Sequence, residues 1–412
     1  MFPIFVLAAV FVLIAVRRIG RFRFEIWQVM AAGASAVLLS GDISPAAAVR
    51  SVDFTVIFFL FGMFVAGAAL ETSGYLAHLE YAFFKRAGTR DGLLLTVLFG
   101  TALASAFLMN DTLAVIGTPV VLLLARKHGM PAKLLLLALA FGITTGSVTS
   151  PIGNPQNLLI AVNGGMRAPF QTFFGRLFVP TVLNLLAAFF VLKSVYRGHF
   201  SRGELKHSQE PVRDSRLAFL SKISLAALAG MISLKIAVFF AVPSLDFDLV
   251  YISAAAALPP LLLSPRRFEL LRKVDWSTLV FFAAMFALMR CVWDTGFFQG
   301  VLARGGFDPA STPVILAVSV LFSQLISNVP LAALYLPMLA HAGAGVPALL
   351  ALAAGSTIAG NAFILGAASN VIIIQNAEKR SGETLTFLEF ARAGVPLTLI
   401  NAIIYWIFLA IP

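Results

Sequence analysis

The stretch LALAFGITTGSVTSPIGNPQN, residues 137–157, decides how this chain folds. It begins as an apolar segment typical of a buried helix. It ends in a run that helices avoid, with Pro151 and Pro155 on either side of Gly153. Proline removes a backbone donor and glycine loosens a helix, so we predict that the helix unwinds here.

The same pattern returns in LALAAGSTIAGNAFILGAASN, residues 350–370. The alignment needs no gap, and it pairs Gly153 with Gly366 and Asn157 with Asn370. The other blocks that repeat, in the same order, are 52–75 with 274–297 and 108–119 with 325–337, the latter pairing Asn110 with Asn328. Three blocks in one order indicate an internal repeat.

The composition places the chain in a membrane. Of its 412 residues, 59% are hydrophobic and only 12% are charged, and the mean hydropathy is +0.93. Apolar stretches of about 16 to 21 residues recur, the length that a helix needs to cross ~30 Å of hydrocarbon. The first, from Met1 to Val16, is expected to be a retained helix, because a basic loop follows it instead of a cleavage site. The predicted fold class is an all-α polytopic membrane protein.

Several functional classes are disfavoured by the sequence. The net charge of +11 suggests nucleic acid, but most Lys and Arg fall in loops on one predicted side of the membrane, so the bias is topological. Cys291 is the single cysteine, and the five histidines lie without ligand spacing, so we expect no metal site of Cys or His and no cofactor. An intramembrane hydrolase needs a nucleophile beside a base, and we predict that the chain is not an enzyme.

Helix counting from the first basic loop makes the two halves run in opposite directions across the membrane. Inverted repeats with broken helices belong to secondary transporters. We expect each repeat to hold one re-entrant helical hairpin and one broken transmembrane helix. The predicted organisation is an N-terminal helix and basic loop (1–25), a first repeat (26–196), a cytoplasmic linker loop (197–222) and a second inverted repeat (223–412).

Polar residues interrupt the apolar sequence at four places, two in each half. Backbone and amide groups at such breaks can bind ions or substrate without a fixed charge. Asp111 is the exception, a carboxylic acid that is our candidate proton carrier. The predicted substrate- and ion-binding residues are Asn110, Asp111, Thr112, Gly153, Asn154, Gln156, Asn157, Ser327, Asn328, Gly366, Ser369 and Asn370. Sodium, as the alternative coupling ion, would bind at Asn110, Asn154, Asn328 and Asn370.

Two hairpins with Asn-containing tips and two broken helices resemble the ion transporter superfamily, which includes arsenite antiporters, silicon efflux carriers and citrate or divalent-anion/sodium symporters. The motifs "GNPQN" (153–157) and "SNVP" (327–330) are most similar to the arsenite and silicon efflux side. The resemblance implies a substrate held between hairpin tips and broken helices, and a homodimer. The dicarboxylate symporters carry Ser-Asn-Thr at both tips, whereas Asp111 and Val329 depart from that pattern. Both departures favour a proton over sodium as the coupling ion.

The first hypothesis is therefore a proton-coupled secondary transporter that exports a small inorganic oxyacid, such as arsenite or silicate. It would lie in the lipid bilayer of a bacterial or archaeal cytoplasmic (inner) membrane. The alternatives are a sodium-coupled dicarboxylate or citrate symporter and a sodium/proton antiporter. A passive channel lined by the polar breaks also stays open.

Overall fold

A computed structural model describes residues 1–16, 18–19, 22–75, 78, 87–106, 109–166, 169–200, 212–241, 249–297, 300 and 308–410. Helices of the first half are α1 (Phe2–Val16), α2 (Ile26–Leu39), α3 (Pro45–Ser51), α4 (Phe54–Ser73), α5 (Arg90–Ser105), α6 (Asn110–His128), α7 (Ala132–Ser147), α8 (Pro155–Asn163) and α9 (Pro169–Val195). Helices of the second half are α10 (Ser215–Ala241), α11 (Leu249–Leu263), α12 (Arg267–Lys273), α13 (Trp276–Asp294), α14 (Thr312–Ile326), α15 (Asn328–His341), α16 (Val346–Ile358), α17 (Ala368–Ser381) and α18 (Phe387–Ala410).

The all-α prediction is confirmed. Outside the helices, the described residues hold three 3₁₀ turns, at Arg197–His199, Ala359–Asn361 and Ile364–Gly366, and one short antiparallel ladder. That ladder joins β1 (Arg18–Ile19) to β2 (Phe22–Arg23). Among the helices that the structure describes, α9, α13 and α18 are long and apolar enough to cross a membrane, and seven others are shorter apolar helices. The structure also has a helix where Met1 to Val16 was expected to be one.

The chain forms two compact units. The first unit is Met1–Lys85 with His207–Leu302, and the second unit is Arg86–Lys206 with Ala303–Pro412. Each unit therefore takes elements from both halves of the sequence repeat. The hairpins and broken helices all belong to the second unit, and this unit holds the candidate site.

The first unit packs α4 against α10 and α11, and α2 against α13. Gly62 permits the contact between α4 and α11, because a Cβ at this position would lie 2.8 Å from the Cβ of Ser253. The helix α10 begins at Ser215, inside the predicted linker, because the Asp214 carboxylate accepts a hydrogen bond from the Leu217 amide at 2.9 Å and caps the helix. The middle of that linker, residues 201–211, lies outside the described residues.

In the second unit, α7 and α16 form the core. Every residue of α7 from Leu134 to Ser147 is buried, as is every residue of α16 from Ala348 to Ile358. The first arm of each hairpin packs closely against a glycine of the core helix in its own repeat. A Cβ on Gly142 would meet Leu98 and Thr101 of α5, and one on Gly355 would meet Leu316 and Ser319 of α14. These contacts correspond when Asn110 is aligned with Asn328, so the repeat extends from sequence to packing.

Candidate functional site

The first broken helix unwinds where the sequence predicts. The helix α7 ends at Ser147, and α8 begins at Pro155 after seven non-helical residues, 148–154. Asn154 caps α8, its Oδ1 accepting from the Asn157 amide at 2.8 Å. Gly153 is required at the bend, since a Cβ there would lie 2.6 Å from the Ser147 carbonyl oxygen.

Asn157 holds the break by bonding to two backbone carbonyls within it. Its Nδ2 donates to the carbonyl oxygens of Ser147 and Ser150, ten and seven residues earlier, each at 3.1 Å. Both carbonyls also accept a backbone hydrogen bond, from the Ser150 amide at 3.3 Å and from the Gly153 amide at 3.4 Å. The asparagine therefore adds a second, buried hydrogen bond to each of two carbonyls at the break.

The second broken helix uses the same device. The helix α16 ends at Ile358, the two 3₁₀ turns follow, and α17 begins at Ala368. Asn370 Nδ2 donates to the Gly360 oxygen at 2.6 Å and to the Phe363 oxygen at 3.4 Å, again ten and seven residues earlier. Asn157 and Asn370, which the sequence repeat pairs, therefore hold their two breaks with the same pattern of bonds.

The two broken helices meet in a buried polar core. The Thr357 hydroxyl accepts from Asn154 Nδ2 at 3.1 Å and from Gln156 Nε2 at 3.4 Å, and it donates to Asn157 Oδ1 at 3.3 Å. All four side chains are at most 3% exposed. From the other direction, Asn361 Nδ2 donates to Thr145 Oγ1 at 3.1 Å. Residues some 200 positions apart in sequence are thereby joined.

The first hairpin ends its first arm at Ser105 and starts its second arm, α6, at Asn110. The Ser105 hydroxyl lies 2.7 Å from the Ile143 oxygen and 2.9 Å from Asn110 Oδ1, and it has one proton to donate to either acceptor. This contact ties the first tip to α7. Asp111 lies in the first turn of α6 and is half-buried, and no ion pair among the described residues involves it. The Thr112 side chain lies outside the described part.

The second hairpin turns at Ser327, whose φ of 69° is the one positive value at a non-glycine position among the described residues. Backbone strain of this kind persists only where surrounding structure enforces it. The helix α15 begins at the next residue, Asn328. Gln324 ties this hairpin to the second break, because its Nε2 donates to the Ala359 oxygen at 2.7 Å.

The structure brings most of the predicted site residues together. Those at the broken helices are Gly153, Asn154, Gln156, Asn157, Gly366, Ser369 and Asn370, all in the polar core or bordering it. Ser105 joins Asn110 to this core, and Gln324 joins the tip holding Ser327 and Asn328 to it. Sequence reasoning missed Thr357, Thr145, Asn361, Ser105 and Gln324, and their signal was a polar residue within an apolar run.

The helices also cross between repeats. The second arm of the first hairpin, α6, packs against α17, where Asn376 Nδ2 donates to the Val115 oxygen at 3.3 Å. The second arm of the other hairpin, α15, packs against α8. Each hairpin is thus held by broken helices of both halves. Within the two breaks, the described side-chain hydrogen bonds join uncharged amides and hydroxyls to one another or to backbone oxygens, whereas Asn376, at the crossing of α6 and α17, also accepts from the Arg380 guanidinium.

Comparison with known proteins shows what this chain is similar to. The family described as citrate transporter matches residues 9–348. An uncharacterised transporter of Mycobacterium tuberculosis is 28% identical over 419 residues, covering 98% of this chain and 96% of that protein. The silicon efflux transporter of Oryza sativa subsp. japonica is 29% identical over 436 residues, covering 89% of each chain. The solved structure of the YdaH transporter of Alcanivorax borkumensis superposes with a TM-score of 0.48 at 15% identity, covering 100% and 96% of the two chains.

The resemblance to the ion transporter superfamily, inferred from the hairpin tips and broken helices, is confirmed by the family match. That match spans well over half of the chain. The chain therefore belongs to the citrate transporter family.

Proposed function

We propose that this membrane transporter moves a small inorganic oxyacid, such as arsenite or silicate, by alternating access, and that it couples export to protons. The observation that carries the proposal is a buried polar core of uncharged amides and hydroxyls, with the Asp111 carboxylate on a hairpin tip tied to it. The core would hold the substrate and Asp111 the proton.

The chemistry of the core favours a neutral oxyacid over a polycarboxylate. Tight binding of a carboxylate commonly uses an arginine fork, and the crossings of the broken helices are bonded through amides and hydroxyls alone. Arsenous and silicic acids are neutral near pH 7 and present several O–H groups, which amide and hydroxyl oxygens accept. With Cys291 as the single cysteine, arsenite would bind through such hydrogen bonds and not through thiolates. The silicon efflux relative supports the same substrate class and the outward direction.

Asp111 is the group best placed to carry a proton. Its carboxylate lies in the first turn of α6 and has no ion-pair partner among the described residues, so no side-chain cation offsets the cost of its charge. Protonation and substrate occupancy would then each change the charge and bonding of a hairpin tip that Ser105 ties to the core.

A second candidate is sodium-coupled citrate symport, for which the family description supports citrate as the substrate. It would place sodium on the amide oxygens of Asn110, Asn154, Asn328 and Asn370. The mycobacterial relatives support a bacterial cytoplasmic membrane as the location of this chain. The homodimer implied by the resemblance belongs to the same proposal.

The test of proton coupling uses Asp111→Asn in proteoliposomes with a trapped pH dye. We expect proton movement on addition of arsenite or silicic acid to fall at least about tenfold, a barrier change of ~1.4 kcal/mol or more. The matched control is Asp91→Asn, which removes a half-exposed carboxylate that pairs with Lys193 at 2.8 Å on the surface of the same unit. Proton-coupled flux that survives Asp111→Asn unchanged would sink the assignment.

A further inference from the structure

The repeat creates two equivalent crossings between the broken helices. In the ungapped alignment of 137–157 with 350–370, Thr144 corresponds to Thr357, Gln156 to Ser369 and Asn154 to Ala367. We define the first crossing as Thr357 with Asn154, Gln156 and Asn157. The second crossing, its counterpart, is Thr144 with Ala367, Ser369 and Asn370.

We call the first crossing closed, because its side chains form hydrogen bonds with one another. Thr357 makes all three of its side-chain hydrogen bonds there, and the Oδ1 atoms of Asn154 and Asn157 both accept. The corresponding tip oxygen, Asn110 Oδ1, is within hydrogen-bonding distance of Ser105. A ligand would have to break these bonds to bind here.

We call the second crossing open, because three of its polar side-chain atoms lack hydrogen-bond partners among the described residues. Thr144 Oγ1, Ser369 Oγ and Asn370 Oδ1 have no hydrogen-bond partner within the described part of the chain, although each residue is at most 1% exposed. Thr144 and Asn370 both adjoin Gly360: Asn370 Nδ2 donates to the Gly360 oxygen at 2.6 Å, and a Cβ on Gly360 would lie 3.2 Å from Thr144 Cγ2. Two of the three residues that carry unpartnered atoms therefore adjoin the same glycine.

Three further amide oxygens lack partners among the described residues: Gln324 Oε1, Asn328 Oδ1 and Asn361 Oδ1. Gln324 and Asn361 reach the same break, since Gln324 Nε2 donates to the Ala359 oxygen and Asn361 belongs to the 3₁₀ turn that follows α16. The amide nitrogens of Gln324 and Asn361 already donate, so their oxygens remain as acceptors.

Buried acceptors without donors are costly, and native proteins supply a partner for nearly all of them. The first crossing shows how this chain closes such a site, with Asn and Gln where the second has Ala367 and Ser369. We propose that the second crossing is the substrate subsite, that it takes a neutral ligand rich in O–H donors, and that the first crossing is structural. The identity of that ligand as an inorganic hydroxy acid rests on the proposed function.

The test is a pair of matched variants, Thr144→Val and Thr357→Val, each replacing a hydroxyl with a methyl group of similar size. Thr357→Val removes three bonds, worth about 3 kcal/mol, and we expect it to lower the apparent Tm by about 6–12 °C. Thr144→Val removes a hydroxyl that has no partner among the described residues, and we expect a Tm equal to or above that of the parent. Equal losses of Tm in the two variants would overturn the inference, since they would show both crossings closed.

Ligand binding is then measured as the thermal shift of the full-length protein in detergent. The compounds added are sodium arsenite, silicic acid and citrate, and the effect of sodium is measured by comparing sodium chloride with choline chloride. We expect arsenite or silicic acid to raise the Tm of the parent and of Thr357→Val. Thr144→Val and Ser369→Ala should each weaken that binding by at least about tenfold. Full binding by both of these variants would overturn the inference, and so would protection by sodium alone that depends on Thr144.

The results distinguish a wrong subsite from a wrong substrate class. If none of the oxyacids protects the parent, the proposed substrate class is wrong. The Tm contrast between Thr144→Val and Thr357→Val still decides which crossing is closed. If the oxyacids protect the parent and Thr144→Val alike, the proposed function stands and the subsite assignment fails.

Discussion

Replacing Asn157 with alanine tests how the broken helix is held. The side chain is fully buried, donates two hydrogen bonds to the carbonyls of Ser147 and Ser150, and accepts one from Thr357. At about 1 kcal/mol each, their loss lowers the free energy of unfolding by about 3 kcal/mol. For a domain of 150–250 residues this corresponds to a fall in Tm of about 6–12 °C.

The assay is thermal unfolding of purified protein in detergent. The matched control is Asn163→Ala, the same substitution at an exposed position in the same helix, which we expect to change stability by no more than about 0.5 kcal/mol. We also expect Asn370→Ala to behave like Asn157→Ala, because it removes the equivalent pair of backbone bonds. An Asn157→Ala protein as stable as the Asn163→Ala control would refute the reasoning.

Two further predictions concern packing and pH. Gly146→Ala should lower the free energy of unfolding by ~1–3 kcal/mol, because its Cβ would lie 2.3 Å from the backbone of Ala102. Gly100→Ala, which has open space around it, should raise the free energy of unfolding by about 0.5–1 kcal/mol. Thermal unfolding measures both variants, and equal effects would contradict the packing. The pKa of Asp214 is held below its ordinary value, chiefly by the hydrogen bond from the Leu217 amide. The ionised Asp214 therefore stabilises the folded protein at neutral pH, and this stabilisation is lost as the pH falls through the folded-state pKa, below about 4. In unfolding measured from pH 7 to pH 3, Asp214→Ala should therefore lose Tm at neutral pH and approach the parent in acid, and a constant difference would contradict the linkage.

The breaks were predictable from the sequence because their causes are local. Proline and glycine act through their own backbone, so Pro151, Gly153 and Pro155 mark an interruption of helix whatever surrounds them. The pairing of Asn157 with Asn370 also follows from the repeat, and the structure shows both making equivalent bonds. Repetition in the sequence therefore identified the positions that hold each break.

The partners across the crossings were not predictable, because they depend on packing between distant helices. Thr357 lies in an apolar run, and nothing near it in sequence indicates that it meets Asn157. Helix ends also depend on caps that the apolar pattern does not mark. The second arm of the first hairpin is Asn110–His128, so it includes polar residues at both ends, and it ends at Gly129 in the left-handed conformation.

Repeat symmetry also concealed a difference. Equivalent positions led us to treat the two halves alike as binding residues. Asn154 Oδ1 and Asn157 Oδ1 are bonded within the chain, whereas Asn370 Oδ1 has no partner among the described residues. The sequence difference is small: the second repeat has Ala367 and Ser369 at the positions that correspond to Asn154 and Gln156. Its effect is large in a buried site, where each polar atom needs a partner.

The most direct test of the central claim is proton flux in liposomes that contain the purified protein and a trapped pH dye. A proton gradient is imposed, and arsenite, silicic acid, succinate and citrate are added in turn, with and without sodium. The account predicts proton movement with arsenite or silicic acid in the absence of sodium, saturable in substrate and lost in Asp111→Asn. A response confined to the carboxylates and dependent on sodium would contradict it, and would make the hairpin tips sodium sites of a citrate symporter.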